Sequence, residues 1–79
     1  MKIDFNNCER DILIYAFRYT LGRATYSVST VVDLLHHNWG NLSSADKELY
    51  KREIKEAIDM EQYGMQMDKN AWETILYKE

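Results

Sequence analysis

Apolar residues in this chain recur at helical spacing, and little interrupts them: there is no proline, and glycine occurs only at Gly22, Gly40 and Gly64. Glycine and proline are the strongest local breakers of regular structure, so the chain must turn at these few glycines or at polar caps. Between them, side chains at i, i+3, i+4 and i+7 mark one face of a 3.6-residue repeat. The expected product is an all-α, single-domain bundle of about four short helices spanning residues 1–79.

The first helix is expected from about Glu9 to Leu21. Leu13, Phe17 and Leu21 recur every four residues, with Ala16 and Thr20 beside them. Ile12, Ile14, Tyr15 and Tyr19 widen the stripe. Asn7 suits an N-cap, Glu9 and Asp11 suit the positive end of the helix dipole, and Arg18 suits the negative end. Gly22 suits the residue after the helix, where a left-handed backbone carries no penalty for a residue without a Cβ. The second segment, about Thr25 to His37, reads two ways. Tyr26, Val28, Thr30 and Val32 alternate like a strand, whereas Val28, Val31, Val32 and Leu35 follow a helix. No second strand exists to pair with the first, and a lone strand leaves its backbone unsatisfied, so helix is the expectation. Thr25 or Ser27 would start it, His36, His37 and Asn38 would close it, and Gly40 would break it.

Ser43 or Ser44 is expected to cap a third helix from Ala45 to Gln62, with Asp46 in the position of a capping-box partner. Tyr50, Ile54, Ala57, Ile58 and Glu61 trace its inner face, with Leu49 beside them. The spacings Glu48–Arg52 and Arg52–Glu56 suit exposed ion pairs, each worth about 0.2–0.5 kcal/mol. Gly64 is expected to stop this helix, and Met65 and Met67 to form an apolar link. Asp68 would cap a last helix, Lys69–Tyr77, whose apolar face is Ala71, Trp72, Ile75 and Leu76.

The net charge of −3 is too mild for a mimic of nucleic acid and weighs against broad nucleic-acid binding. No apolar run is long enough to span a membrane, and MKIDFNNCERD has no signal-peptide core. A single cysteine, Cys8, cannot form an internal disulfide, which fits a reducing cytoplasm. The six tyrosines and two tryptophans are more than a small core requires. Such residues serve at the rim of a core, and they are also enriched at the centres of protein interfaces.

Neither catalytic nor cofactor-binding residues emerge. His36 and His37 are adjacent, so on a helix they point ~100° apart and do not converge on a metal, and structural zinc spacings are absent. One packed or hydrogen-bonded histidine and one solvated histidine is the simpler reading. Cys8 at a helix start resembles a thiol of lowered pKa, but no orienting group accompanies it, and a small buried hydrophobe explains it as well. Asp59 and Glu61 face different ways, and there is no glycine-rich phosphate loop. A helix-turn-helix reader is the stronger rival. Its second helix would present Ser27, Ser29, Thr30 and Asp33, where a reader needs Arg, Lys, Asn or Gln. The basic residues Lys47, Lys51, Arg52 and Lys55 lie on another helix among Glu48, Glu53 and Glu56, so duplex DNA is disfavoured. A protein-binding module remains, with a homodimer as one form of it. Met60, Met65 and Met67 would serve either as adaptable contacts or as gap-fillers.

The corner YTLGRATYS holds the candidate protein-contact residues Tyr19, Arg23 and Tyr26. Gly22 reverses the chain and the two tyrosines flank the bend. Arg23 either hydrogen-bonds the last carbonyls of the first helix or projects as a contact, since Arg and Tyr are favoured hot-spot types. The run AFRYTLGRATYSVSTVVDLL, followed by NW, KREIKEAI and DKNAWETIL, resembles a group of small proteins from phages and prophages of Gram-positive bacteria. The shared elements are Ala16, Leu21, Gly22, Arg23, Thr25 and Tyr26, then Arg52, Glu53 and Ile54, then Trp72. The resemblance covers about Glu9 to Leu76 and brings no catalytic residues. It implies a non-enzymatic accessory protein that binds a host or phage protein in the host cytoplasm, such as an anti-CRISPR or other anti-defence inhibitor of a nuclease effector. An accessory role in phage replication or transcription is equally compatible with it.

Overall fold

The periodicity becomes helix throughout the three segments, 8–22, 27–60 and 65–79, that the computed structural model describes, the last with its side chains from residue 69 onward. The chain is all-α: α1 is Arg10–Thr20, α2 is Ser27–Asn38, α3 is Ser44–Asp59 and α4 is Met65–Leu76, with a 3-10 turn at Trp39–Asn41 between α2 and α3. The Cα radius of gyration is 11.7 Å, close to the roughly 11.6 Å of a compact chain of this length.

α1 buries Leu13, Phe17 and Thr20. Its N-cap is Glu9, in extended backbone and without a side-chain capping bond; the expected cap, Asn7, lies outside the described residues. At the other end Leu21 N–H donates to Phe17 O at 2.9 Å, and Gly22 follows with φ of 81°. Any residue with a Cβ would be strained there by about 1–2 kcal/mol, so Gly22 has the reversing role read from the sequence.

α2 settles the strand-or-helix ambiguity for Ser27 onward; Thr25 and Tyr26 lie outside the described residues. Its buried side chains are Val28, Val31, Val32, Leu34 and Leu35, spaced by three and four. Alternation would have buried Thr30 in place of Val31, but Thr30 is only half-buried. The α-helix ends before Gly40, which sits in the 3-10 turn.

α3 starts one residue earlier than expected and ends at Asp59, short of the expected Gln62, which lies outside the described residues. Ser43 is the cap: its hydroxyl accepts from Asp46 N–H at 3.1 Å. Asp46 does not reach back to complete the box, because its carboxylate is held by Arg10 from α1. The pairs Glu48–Arg52 and Arg52–Glu56 do not form. Among the described residues the salt bridges that do are Arg10–Asp46, Arg18–Glu53, Arg10–Asp11 and Lys69–Glu73. Exposed charges at i, i+4 gain so little that such pairs form at some spacings, as at Lys69–Glu73, and not at others.

α4 differs most from expectation. Met65 to Asp68 are its first turn, not an apolar link and a cap, and its end falls at Leu76 rather than Tyr77. Methionine is a good helix former, and an aspartate near a helix start is favoured by the dipole whether or not it caps. Asp68 therefore signals the neighbourhood of a helix start but not its register.

α2 packs against both α1 and α4, and α4 against α3. The core holds Leu13, Phe17, the apolar α2 residues, Trp39, Tyr50, Ile54, Ala57, Trp72 and Ile75. At its centre Phe17 meets Tyr50 edge-on, with centroids 4.9 Å apart at 84°, and Trp72 likewise, at 5.6 Å and 89°. Such pairs contribute about 0.5–1.5 kcal/mol beyond area burial. Two buried polar groups come with them: Tyr50 Oη and Trp72 Nε1 have no hydrogen-bond partner among the described residues.

Burial pushes the Tyr50 phenol up to about 12, with Asp46 adding to the rise. Its folded pKa thus lies above the ordinary 10.0, so its share of stability is complete below pH 10 and is lost as pH climbs through the folded value. Tyr50→Phe removes a desolvated hydroxyl without leaving a partner behind. The variant should be equal to or up to about 1 kcal/mol more stable than the parent in urea melts at pH 7. It should also lose Tyr50's part of the alkaline fall. A destabilisation above about 1 kcal/mol would mean that the hydroxyl is satisfied.

Candidate functional site

α1 carries two apolar faces. Leu13, Phe17 and Thr20 point into the core. Ile12, Tyr15 and Tyr19 lie roughly 130° around the helix at ~100° per residue, and they are 52%, 72% and 57% exposed. One turn apart, the Tyr15 and Tyr19 rings stack with centroids 6.3 Å apart and planes 20° from parallel. A single exposed hydrophobe is unremarkable, but a stripe along a helix needs a reason. Of the three residues expected to form a contact surface, Tyr19 is on this stripe; Arg23 and Tyr26 lie outside the described residues. The sequence reading assigned Ile12, Ile14, Tyr15 and Tyr19 to one widened apolar face, with Tyr19 also flanking the corner; Ile12, Tyr15 and Tyr19 are exposed instead. The available signal was the width of the stripe, since one helix cannot bury apolar residues over most of its circumference in so small a bundle.

Two ion pairs fix α1 on α3, one at each end. Arg10 Nε and Nη2 donate to Asp46 Oδ2 and Oδ1 at 2.8 and 3.2 Å. Arg18 Nη2 donates to Glu53 Oε1 at 3.3 Å. Asp46 is buried and Arg10 exposed, so the fork closes over the rim of the core. A cation in the first turn opposes the helix dipole, which was the sequence-level hint that Arg10 has a specific anionic partner. Asn38, also buried, is satisfied twice: its Oδ1 accepts from Cys8 N–H at 3.0 Å and its Nδ2 donates to Leu34 O at 2.8 Å. Between α1 and α3 runs a groove of about 250 Å³ lined by Arg18, Leu21, Glu53, Glu56, Ala57 and Met60.

The exposed side of α2 presents Ser27, Ser29, Asp33 and His37. The cations nearest the α2–α3 corner are engaged elsewhere. Lys47 and Lys51 place Nζ 5.9 and 5.8 Å from the Trp39 ring centroid. Lys51 also donates to Lys78 O, and Trp39 Nε1 donates to Glu79 O at 2.9 Å. Met60 is exposed; Met65 and Met67 have no described side chains. Among the described residues no three His, Cys, Asp or Glu side chains gather at metal-binding distance, and no helix is long and apolar enough to cross a membrane.

No family model, curated protein or solved structure matches the chain.

The histidine pair divides as the simpler reading had it, with His37 exposed and His36 in the α2–α4 contact. His36 Nε2 lies 2.8 Å from Thr74 Oγ1, and Thr74 donates its only hydroxyl proton to Ala71 O at 2.6 Å. Thr74 therefore accepts from His36, which places a proton on Nε2. Burial lowers the His36 pKa below its ordinary 6.5, Lys78 and His37 lower it further, and Asp33 opposes them. A histidine whose folded pKa is depressed contributes stability that is present above the ordinary value and lost as pH falls through the folded one. Urea midpoints should therefore fall between about pH 7 and 5.5, above the range where most carboxylates titrate. His36→Gln keeps an amide donor for Thr74 and should flatten that fall. An equal slope in both proteins would sink the assignment.

Proposed function

We propose that this chain is a non-enzymatic protein-binding domain that docks through the outer face of α1. The observation that carries this reading is the exposed Ile12–Tyr15–Tyr19 stripe, presented on a helix that two ion pairs hold against α3. Tyrosine supplies large contact area at low entropic cost and is enriched among hot spots. The resemblance to small proteins of Gram-positive phages and prophages supports a more specific role, an accessory protein that inhibits a host defence protein such as a CRISPR effector nuclease. Regulation by DNA binding has less support. A reader helix needs Arg, Lys, Asn or Gln facing outward, and α2 exposes two serines, an aspartate and a histidine.

The test is capture of a Gram-positive host protein by the tagged chain, identification by mass spectrometry, and titration of the purified pair. Tyr15→Ser with Tyr19→Ser should leave fold stability within about 0.5 kcal/mol. The same change should weaken binding by about 2 kcal/mol or more, roughly thirtyfold in dissociation constant. Electrophoretic shift with duplex DNA at low salt, where phosphate contacts are strongest, should show no complex. Undiminished binding by the double variant, or tight salt-dependent DNA binding, would overturn the reading.

A further inference from the structure

We propose that, when no other protein occupies it, the α1 stripe is covered by the same stripe of a second copy of this chain, with the two helices antiparallel. This rests on the reading of the stripe as a docking face and names its occupant in the free protein. Ile12, Tyr15 and Tyr19 stand at i, i+3 and i+7. That is the spacing of one a–d–a run in a heptad seam. Phe17 then falls at f, the position opposite the seam, which fits its burial in the core. Each copy thus shows the other a two-turn apolar seam on a helix whose back is already packed.

Charge decides the occupant and its direction. Asp11 and Arg18 are also separated by i, i+7, so both fall at g, on one flank of the seam. The Asp11 side chain is 93% exposed and that of Arg18 57%. In an antiparallel pair, position g of one helix faces g of the other. With Ile12 of each copy against Tyr15 of the other, Asp11 of one copy meets Arg18 of the other, and twofold symmetry repeats that pair. On the opposite flank Glu9 faces Ala16, which is small and half-buried, so no carboxylate meets another there. A parallel pair would set g against e, leave Asp11 beside Ala16 without a cation, and align the two helix dipoles. Arg18 gives Nη2 to Glu53 at 3.3 Å. A guanidinium carries five N–H donors, so Arg18 can answer a second carboxylate as well. An unrelated protein would have to match this pattern of charge and seam, whereas a second copy matches it by symmetry.

The seam is short. An aromatic side chain buries about 150–250 Å² when fully covered, so these three residues give each copy less than the roughly 800 Å² of a standard interface. The dimer is therefore weak, with a dissociation constant on the order of 100 µM, and another protein can displace it.

Sedimentation of the purified chain from about 10 µM to about 1 mM should show a monomer–dimer equilibrium that shifts with concentration. Tyr15→Ser with Tyr19→Ser should abolish the dimer. Asp11→Arg sets arginine against arginine and should weaken it about tenfold or more, since symmetry counts each repulsion twice. Arg18→Asp should do the same. Mixing the two single variants, or joining both changes in one chain, should restore the dimer, because either arrangement again puts a cation opposite a carboxylate. If Arg18→Asp disturbs the fold beside Glu53, as urea melts would show, Asp11→Arg decides alone. A monomer at every concentration, a dimer indifferent to the tyrosines or to Asp11→Arg, or no rescue in a mixture of two folded variants would overturn the proposal. The same variants keep it apart from the docking reading. If the chain stays monomeric while stripe-dependent capture of another protein persists, the pairing fails and the docking reading stands. If the dimer behaves as described while capture survives the double tyrosine change, the docking reading fails and the pairing stands.

Discussion

Phe17 holds the bundle together. Its ring meets those of Tyr50 from α3 and Trp72 from α4, each nearly at right angles. Edge-to-face contacts are directional, because the positive rim of one ring meets the negative face of the other. Three helices are thus set relative to one another by three side chains, and α2 closes the remaining side with Val28, Val31, Val32 and Leu35. The arrangement leaves the Tyr50 hydroxyl and Trp72 Nε1 buried without partners among the described residues. Aromatic shape and quadrupole decide this core, and hydrogen bonding of its polar tips does not.

Once Phe17 faces inward, the rest of α1 has no choice of direction. Residues five before and two after it, Ile12 and Tyr19, must lie on the far side with Tyr15 between them. Arg10–Asp46 and Arg18–Glu53 then stop the helix from rolling about the Phe17 contact. Each pair is exposed on its arginine side and adds little stability. Their effect is orientation: a stripe held in one attitude loses less freedom on docking than a mobile one.

The sequence made the helices legible because their period is regular and because strand pairing had no partner. It made the C-terminal end of α1 and the cap of α3 legible through Gly22 and Ser43, where one residue's chemistry decides the backbone. It misplaced the start of α4, since methionine and aspartate fit a helical first turn as well as a link and a cap. Tertiary pairs were beyond reach. Asp46 reads as a local cap, and only the packing of α1 on α3 turns it toward Arg10. For the candidate surface, Tyr19 was legible as an aromatic beside a turn. Tyr15 and Ile12 were absorbed into the core because periodicity gives the width of an apolar stripe and not which edge faces inward.

The placement of charge bears on how the α1 face would choose a partner. The chain is acidic overall, and several of its described cations are engaged within the fold, whereas Arg52 and Lys55 stand exposed on α3. Lys47 and Lys51 lie over Trp39, at the corner between α2 and α3. Arg10 is tied to Asp46, away from the groove. Among the described cations Arg18 lines the groove, and its bond to Glu53 is exposed and long at 3.3 Å. Such a bond is exchanged at little cost for a better-aligned donor. The stripe would then supply affinity through apolar area. Apolar area alone discriminates poorly between partners. Exposed charges at its margin, such as Arg18, discriminate better, because a partner that desolvates them without answering them is penalised.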